Sequence, residues 1–326
     1  MPKQYDYTNM ERLISTARMT SYRNAFETND KSELFGLYSW NLELAGTLNS
    51  FLQLIEVALR NTINEAGKKH IATNAGQHWF DNLPYNEIED EEAEKQADGS
   101  YPKVKAEQVK KFEEGIKKAK KNAMTLLKRK LGDTTTATPT LDQIISQTDF
   151  SVWEYILDKS YYDGDATKGF LWPKGFVTAF KRLPPVTGKN KQFQQRDILR
   201  RRVESIRHLR NRVSHNEPTW KEGELSSVGD IITFLNAKVR DLLDLTYWIS
   251  PDFNMFVKSS AVYHRLCALI CEYEISNATY KNDPIDILSV ENINQAIVKS
   301  GKQGLKVHIR SEALSAVVQA KNNRFN

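Results

Sequence analysis

The stretch HLRNRVSHNEP, His208 to Pro218, holds the residues of this chain best suited to chemistry. Arg210 offers a planar fork of donors that fits phosphate oxygens and keeps its charge at any ordinary pH. His215 can take or give a proton near neutrality. Asn211 can hydrogen-bond an imidazole and fix its orientation. A base and a fixed cation around one linkage are enough to cleave RNA without a metal. The base removes the 2′-OH proton, that oxygen attacks the adjacent phosphorus, and the cation stabilises the crowded phosphate. DNA lacks this nucleophile. The same residues also admit a plainer reading, in which Arg210 caps carbonyls and pairs with a buried carboxylate (Glu56 is a candidate) while His215 satisfies a helix end. Spacing alone leaves both open.

The element that must carry these residues is a helix from about Gln192 to His215, stopped before Pro218. At about 100° per residue, Leu199, Val203, Ile206, Leu209 and Val213 form one apolar stripe. Arg210 falls inside that stripe, where a guanidinium is costly without a partner. Asn211, His208 and His215 lie on the polar side with Arg200 and Arg207. His215 is about 140° from Arg210 on an ideal wheel. The pair meets through the length of Arg, through fraying, or through two motifs facing each other.

Other segments supply the frame. Residues 31 to 70 repeat apolar positions at helical steps (Leu44, Leu48, Phe51, Ile55, Leu59, Ile63), and Glu56 and Arg60 are spaced to pair along it. A lysine-rich helix ending at Gly132 carries a narrow apolar stripe of Val109, Phe112, Ile116, Ala119 and Ala123. Its lysines either contact RNA or keep a surface helix soluble. Thr140 reads as an N-cap. FSVWEYILD reads as helix, Val228 to Trp248 as another, and SSAVYHRLCALICEYEI as one more, with GLKVHIR a short strand. Helices dominate, so the expected class is all-α.

Composition bounds the partners. The chain has 326 residues, a net charge of +5 and two cysteines. No disulfide framework and no secretory signal are expected, and no membrane span, so a cytoplasmic protein is the expectation. From Lys168 to Arg212 there are 13 Lys or Arg against Asp197 and Glu204, a cationic excess that suits a polyanion. Asp163 begins a segment like a calcium loop, but Lys168 and Lys174 stand where its Gly and Glu belong. His264, Cys267 and Cys271 fall on one face of an expected helix without a fourth ligand, so no metal site and no cofactor are expected.

LRNRVSHNEP resembles the signature of the HEPN superfamily, whose ribonucleases carry an Arg, a following polar residue and a His a few positions on. The segments LYSWNLELAGTLNSFLQLIEVALRNTI, FSVWEYIL…LWPKGF and RRRVESIRHLRNRVSHNEP are similar, in order and spacing, to its Abi-like (abortive infection, AbiD/AbiF-like) branch. The similarity covers roughly residues 30 to 250. It implies an all-helical HEPN-type bundle over residues 1–250; the acidic run at about 84–101, which lacks apolar periodicity, is expected to be a mobile segment within it. Residues 251–326 then form a mostly helical extension of unknown role. It implies a homodimer whose two motifs make one composite site, and a toxin of phage defence that cleaves RNA. A small non-coding RNA partner is also implied. Arg210, His215 and Asn211 would be catalytic, Arg200, Arg207 and Arg212 would hold RNA phosphates, and Glu56 and Arg60 would support the site. Some members have a Tyr two residues after the His, modified by a nucleotidyltransferase antitoxin. Glu217 stands there, so that control is not expected.

Overall fold

The computed structural model describes residues 6–220, 225, 227–303, 306–311 and 315–319. Among these are thirteen α-helices, joined by little strand, so the class is all-α as expected. The chain divides into two compact units. One groups residues 1–53, 208–243 and 252–326; the other groups 54–207 and 244–251. Three long helices contribute residues to both.

In the first unit, two helices that the apolar pattern did not announce precede the long one. Helix α1 (Tyr7–Ile14) is capped by Asp6, and α2 (Thr16–Phe26) by Ser15. Both are short and bury few side chains. Helix α3 runs Lys31–His70, as expected. By length and composition it would pass for a membrane span. Its Leu44, Leu48, Phe51, Ile55, Leu59 and Ile63 are instead buried to within 1% in the protein.

An aromatic cluster knits this unit. The Trp220 ring lies 5.0 Å from Tyr22, 5.3 Å from Phe26 and 5.4 Å from Trp40. Trp40 Nε1 donates to the Leu269 carbonyl at 2.9 Å, satisfying a buried indole.

The second unit begins with the later turns of α3. Gly67 is required there, since a Cβ would meet the Trp79 ring at 2.3 Å. Ile88–Glu89 (β1) pairs antiparallel with Lys103–Val104 (β2), so the acidic segment is bounded by a short ribbon. Helix α4 (Glu107–Leu131) follows and ends at Gly132, whose φ of 95° favours glycine. Helix α5 (Leu141–Ile145) opens on a reciprocal cap between Thr140 and Gln143. Next come α6 (Phe150–Tyr155), α7 (Phe176–Ala179) and α8 (Lys191–Ser214).

Helix α9 (Val228–Ile249) and α10 (Pro251–Ser259) meet at the expected proline. The single helix expected around SSAVYHRLCALICEYEI is two, α11 (Ala261–Leu269) and α12 (Glu272–Ala278). Cys271 is the N-cap of α12, so it does not share a helical face with His264 and Cys267. Burial also pushes its thiol above the ordinary range, which works against a thiolate ligand. Among the described residues no His/Cys/Asp/Glu group could hold a metal ion.

The C-terminal part of the first unit closes with β3 (Ile285–Asp286), α13 (Val290–Gln303), β4 (Lys306–Arg310) and β5 (Ser315–Gln319), in sheet order β3-β4-β5. The expected strand at GLKVHIR is β4. Its first two residues and the last seven of the extension lie outside the described residues.

Candidate functional site

The site is built on the end of α8. Its expected stripe is buried: Leu199 and Val203 at 0% exposure, Ile206 at 2%, Leu209 at 5% and Val213 at 7%. That burial fixes the rotation of the helix and turns the opposite side outward.

The helix then stops in a defined way. Asn216 is left-handed (φ 51°), its N–H donates to the Val213 carbonyl at 3.0 Å, and the Glu217 N–H donates to the Arg212 carbonyl at 3.0 Å. These two bonds form a Schellman motif with Asn in the place usually held by glycine. His215 is the last residue before the reversal, and its own N–H still donates to the Asn211 carbonyl at 3.0 Å.

The reversal is bolted from outside the helix. The Arg18 guanidinium on α2 donates to the Asn216 carbonyl and, at 3.5 Å, to the His215 carbonyl. A cation there suits the negative end of the helix dipole. Asn216 Nδ2 donates to the Tyr38 hydroxyl at 3.0 Å. Thr219 donates twice, from N and Oγ1, to the buried Asn41 Oδ1 at 3.1 Å. Pro218, Thr219 and Trp220 are buried. The backbone at His215 is thus held while its imidazole is exposed.

The plainer reading gave carbonyl capping to Arg210; Arg18 performs it. Arg210 is half-buried rather than sealed in the apolar stripe, and no hydrogen bond or ion pair of its side chain occurs among the described residues. The side chains of Asn211, Arg212 and His215 are likewise without such partners there, so the expected Asn211–His215 bond is not formed. His208 is exposed.

The remaining expected residues lie in the other unit. Arg207 is ion-paired to Glu154, itself 5% exposed. Arg200 pairs with Glu204 at 3.3 Å and Asp197 at 3.8 Å. Arg60 Nε is buried without a hydrogen-bond partner among the described residues. The structure therefore keeps Arg210, Asn211, Arg212 and His215 on the last turns of α8, and commits Arg200 and Arg207 to carboxylates.

Sequence reasoning missed Arg18, Asn41 and Asn216. Asn two residues before a proline, at a helix end, is a legible stop signal. Arg18 and Asn41 are nearly two hundred residues distant in sequence, and no local pattern points to them.

What the arrangement can do follows from these placements. It presents an imidazole and a guanidinium, about 7.5 Å apart along one helix axis and about 140° apart around it. The imidazole is open to solvent, and the guanidinium has no ion-pair partner among the described residues.

A family model described as Abi-like protein matches residues 3–221. No curated protein and no solved structure matches the chain.

Proposed function

The chain belongs to the Abi-like protein family, which places it at a general level in abortive infection, a form of phage defence, and from that premise we propose that it is a metal-independent endoribonuclease of the HEPN type. Family membership is compatible with a nuclease. His215 removes the 2′-OH proton, the 2′-oxygen attacks the adjacent phosphorus, and the P–O5′ bond breaks. The leaving 5′-oxygen takes up a proton, giving a 2′,3′-cyclic phosphate and a 5′-OH end. Arg210 stabilises the charge on the phosphate oxygens in the transition state, and Asn211 orients the imidazole once RNA is bound.

The observation that carries this reading is Arg210, without a side-chain partner among the described residues, beside a helix end clamped so that His215 stays exposed. A structural Arg–His pair would have spent its donors on carbonyls or carboxylates.

One motif spreads its two groups around the helix by about 140°. A homodimer that brings Arg210 of one copy toward His215 of the other closes the site, and we adopt it as part of the proposal. Arg212 is the nearest further cation for a flanking phosphate. Arg200 and Arg207 serve RNA only if RNA displaces their carboxylates. A cytoplasmic location and a small non-coding RNA partner complete the reading.

The test is incubation of the purified chain with RNA in EDTA, with end-group analysis of the products. Cyclic-phosphate ends from the wild type, absent with His215→Ala and Arg210→Ala, are expected. Equal cleavage by His215→Ala rejects the assignment. RNA that co-purifies uncut, held through Arg210 and not His215, replaces it with a non-catalytic RNA-binding module.

A further inference from the structure

Helix α4 carries a second cationic feature, independent of the α8 motif. Its apolar side (Val109, Phe112, Ile116, Ala119, Ala123, Leu127) is buried. Close packing fixes that side inward: a Cβ on Gly115 would stand 2.5 Å from Val152 Cγ2 of α6. The cations of α4 then fall into two classes.

On the flanks they are spent. Lys118 pairs with Asp149 at 2.8 Å, Lys120 with Asp81 at 2.5 Å and Lys111 with Glu107 at 3.4 Å. Lys110, Lys117, Lys121 and Lys128 are exposed and form no ion pair or side-chain hydrogen bond among the described residues. At about 100° per residue these four lie within roughly 40° of one another, about 130° around the helix from the middle of the buried side. Along the axis they are separated by about 10, 6 and 10 Å, a line roughly 27 Å long. Glu113 and Glu114 flank this line between Lys110 and Lys117, Glu113 being paired with Lys105 at 2.8 Å, and exposed Arg129 and Lys130 extend the charge at its end.

We propose that this line of lysines docks the sugar–phosphate backbone of an RNA strand. A row of evenly presented point charges on a straight, rigid rod matches a linear polyanion. A membrane surface is the poorer fit, because an interfacial helix inserts an apolar face and α4 has buried its own. The line shares its class of partner with the function proposed above but none of its residues, so it stands or falls separately.

The probe is a 2′-O-methyl oligouridylate, which has the phosphates of RNA but no 2′-OH, so binding is read without cleavage. Its affinity for the full chain is measured across a salt series for wild type and for K110Q/K117Q/K121Q/K128Q. A control, K69Q/K189Q/K258Q/K302Q, removes the same charge from exposed lysines elsewhere. The line variant is expected to bind at least about tenfold more weakly at low salt, with a log–log salt slope shallower by about 3 (four contacts at roughly 0.7 each). The control is expected to stay close to wild type. Equal losses in both variants, or no loss in the first, overturn the proposal. So does binding to phosphatidylserine vesicles that depends on the four lysines while oligouridylate binding does not. Loss of cleavage in His215→Ala with this binding intact leaves the proposal standing, and intact cleavage without this binding removes it alone.

Discussion

Helix α8 carries seven arginines, and they meet two fates. Arg196 donates to the Leu157 carbonyl, Arg200 and Arg201 pair with Asp197, Arg202 with Asp244 and Arg207 with Glu154. Arg210 and Arg212, on the last turns, have no such partner among the described residues. Residue type and helix are the same, so the difference is one of surroundings. Arg196 and Arg207 stitch the fold with partners that burial requires, while Arg200 and Arg201 pair along the helix itself. The last two keep donors available for something outside the protomer. The cationic excess of the sequence is therefore a poor measure of free charge, because six of the 13 cations between Lys168 and Arg212 are ion-paired within the chain.

This contrast predicts that the two ends of α8 break differently. The largest effect belongs to the free end. His215→Ala or Arg210→Ala is expected to lower RNA cleavage by about 10²–10⁴-fold. The urea midpoint of either variant should stay near wild type, because neither side chain holds another residue in place. Single-turnover cleavage and urea unfolding on the same preparation separate the two readouts. An Arg210→Ala protein that unfolds markedly more easily would erase the contrast.

The paired end should behave the other way. Arg207→Ala leaves the Glu154 carboxylate buried without its cation, and a loss of roughly 3 kcal/mol in unfolding free energy is expected. Glu154→Gln combined with Arg207→Gln should recover part of that loss, since no buried charge remains. Cleavage per folded molecule is expected to change little. A fall in cleavage at full stability would move Arg207 into the functional set.

The clamp between these two regimes sharpens the comparison further. Asn216 occupies a left-handed position, so Asn216→Gly should be tolerated, while Asn216→Val should cost about 1–2 kcal/mol. Arg18→Ala removes the cation from the α8 end and should cost about 1 kcal/mol. If the clamp serves mainly to hold His215, both destabilising changes also lower cleavage while leaving RNA affinity nearly unchanged.

Much of this frame was legible in sequence, and the reasons are local. The stripe of α8 and the span of α3 follow from apolar periodicity, and the caps at Thr140 and Gly132 from residue types with one strong use. The unread parts depend on distant residues. Nothing near Arg18 says that it reaches the end of α8. The break at Ile270, which divides one expected helix into α11 and α12, falls within an unbroken apolar run that reads as continuous. The chemistry of Arg210–His215 was visible as a spacing. That Arg210 is only half-buried, and that another arginine does its capping, is set by tertiary contacts from distant residues.

The smallest expected effect tests whether a paired cluster on the same unit as the free end is structural alone. Glu43 on α3 accepts from Arg265 on α11, with Nε at 3.0 Å, and from Lys306 on β4. Burial pushes the Glu43 carboxyl up, but the hydrogen bonds from Lys306 and Arg265 outweigh it and leave the group below its ordinary range. A carboxyl lowered by folding stabilises the folded state above its unfolded value, and that contribution is lost as pH falls through the lower, folded value. The Glu43 side chain is 40% exposed, so screening keeps the contribution under about 1 kcal/mol. Glu43→Gln should therefore lower the urea midpoint slightly at neutral pH, and the gap to wild type should close as the medium is acidified below the carboxylate range. RNA cleavage at neutral pH should be unchanged. A gap that persists in acid would mean that Glu43 acts through packing rather than through charge, and would place this cluster outside the electrostatic contrast drawn along α8.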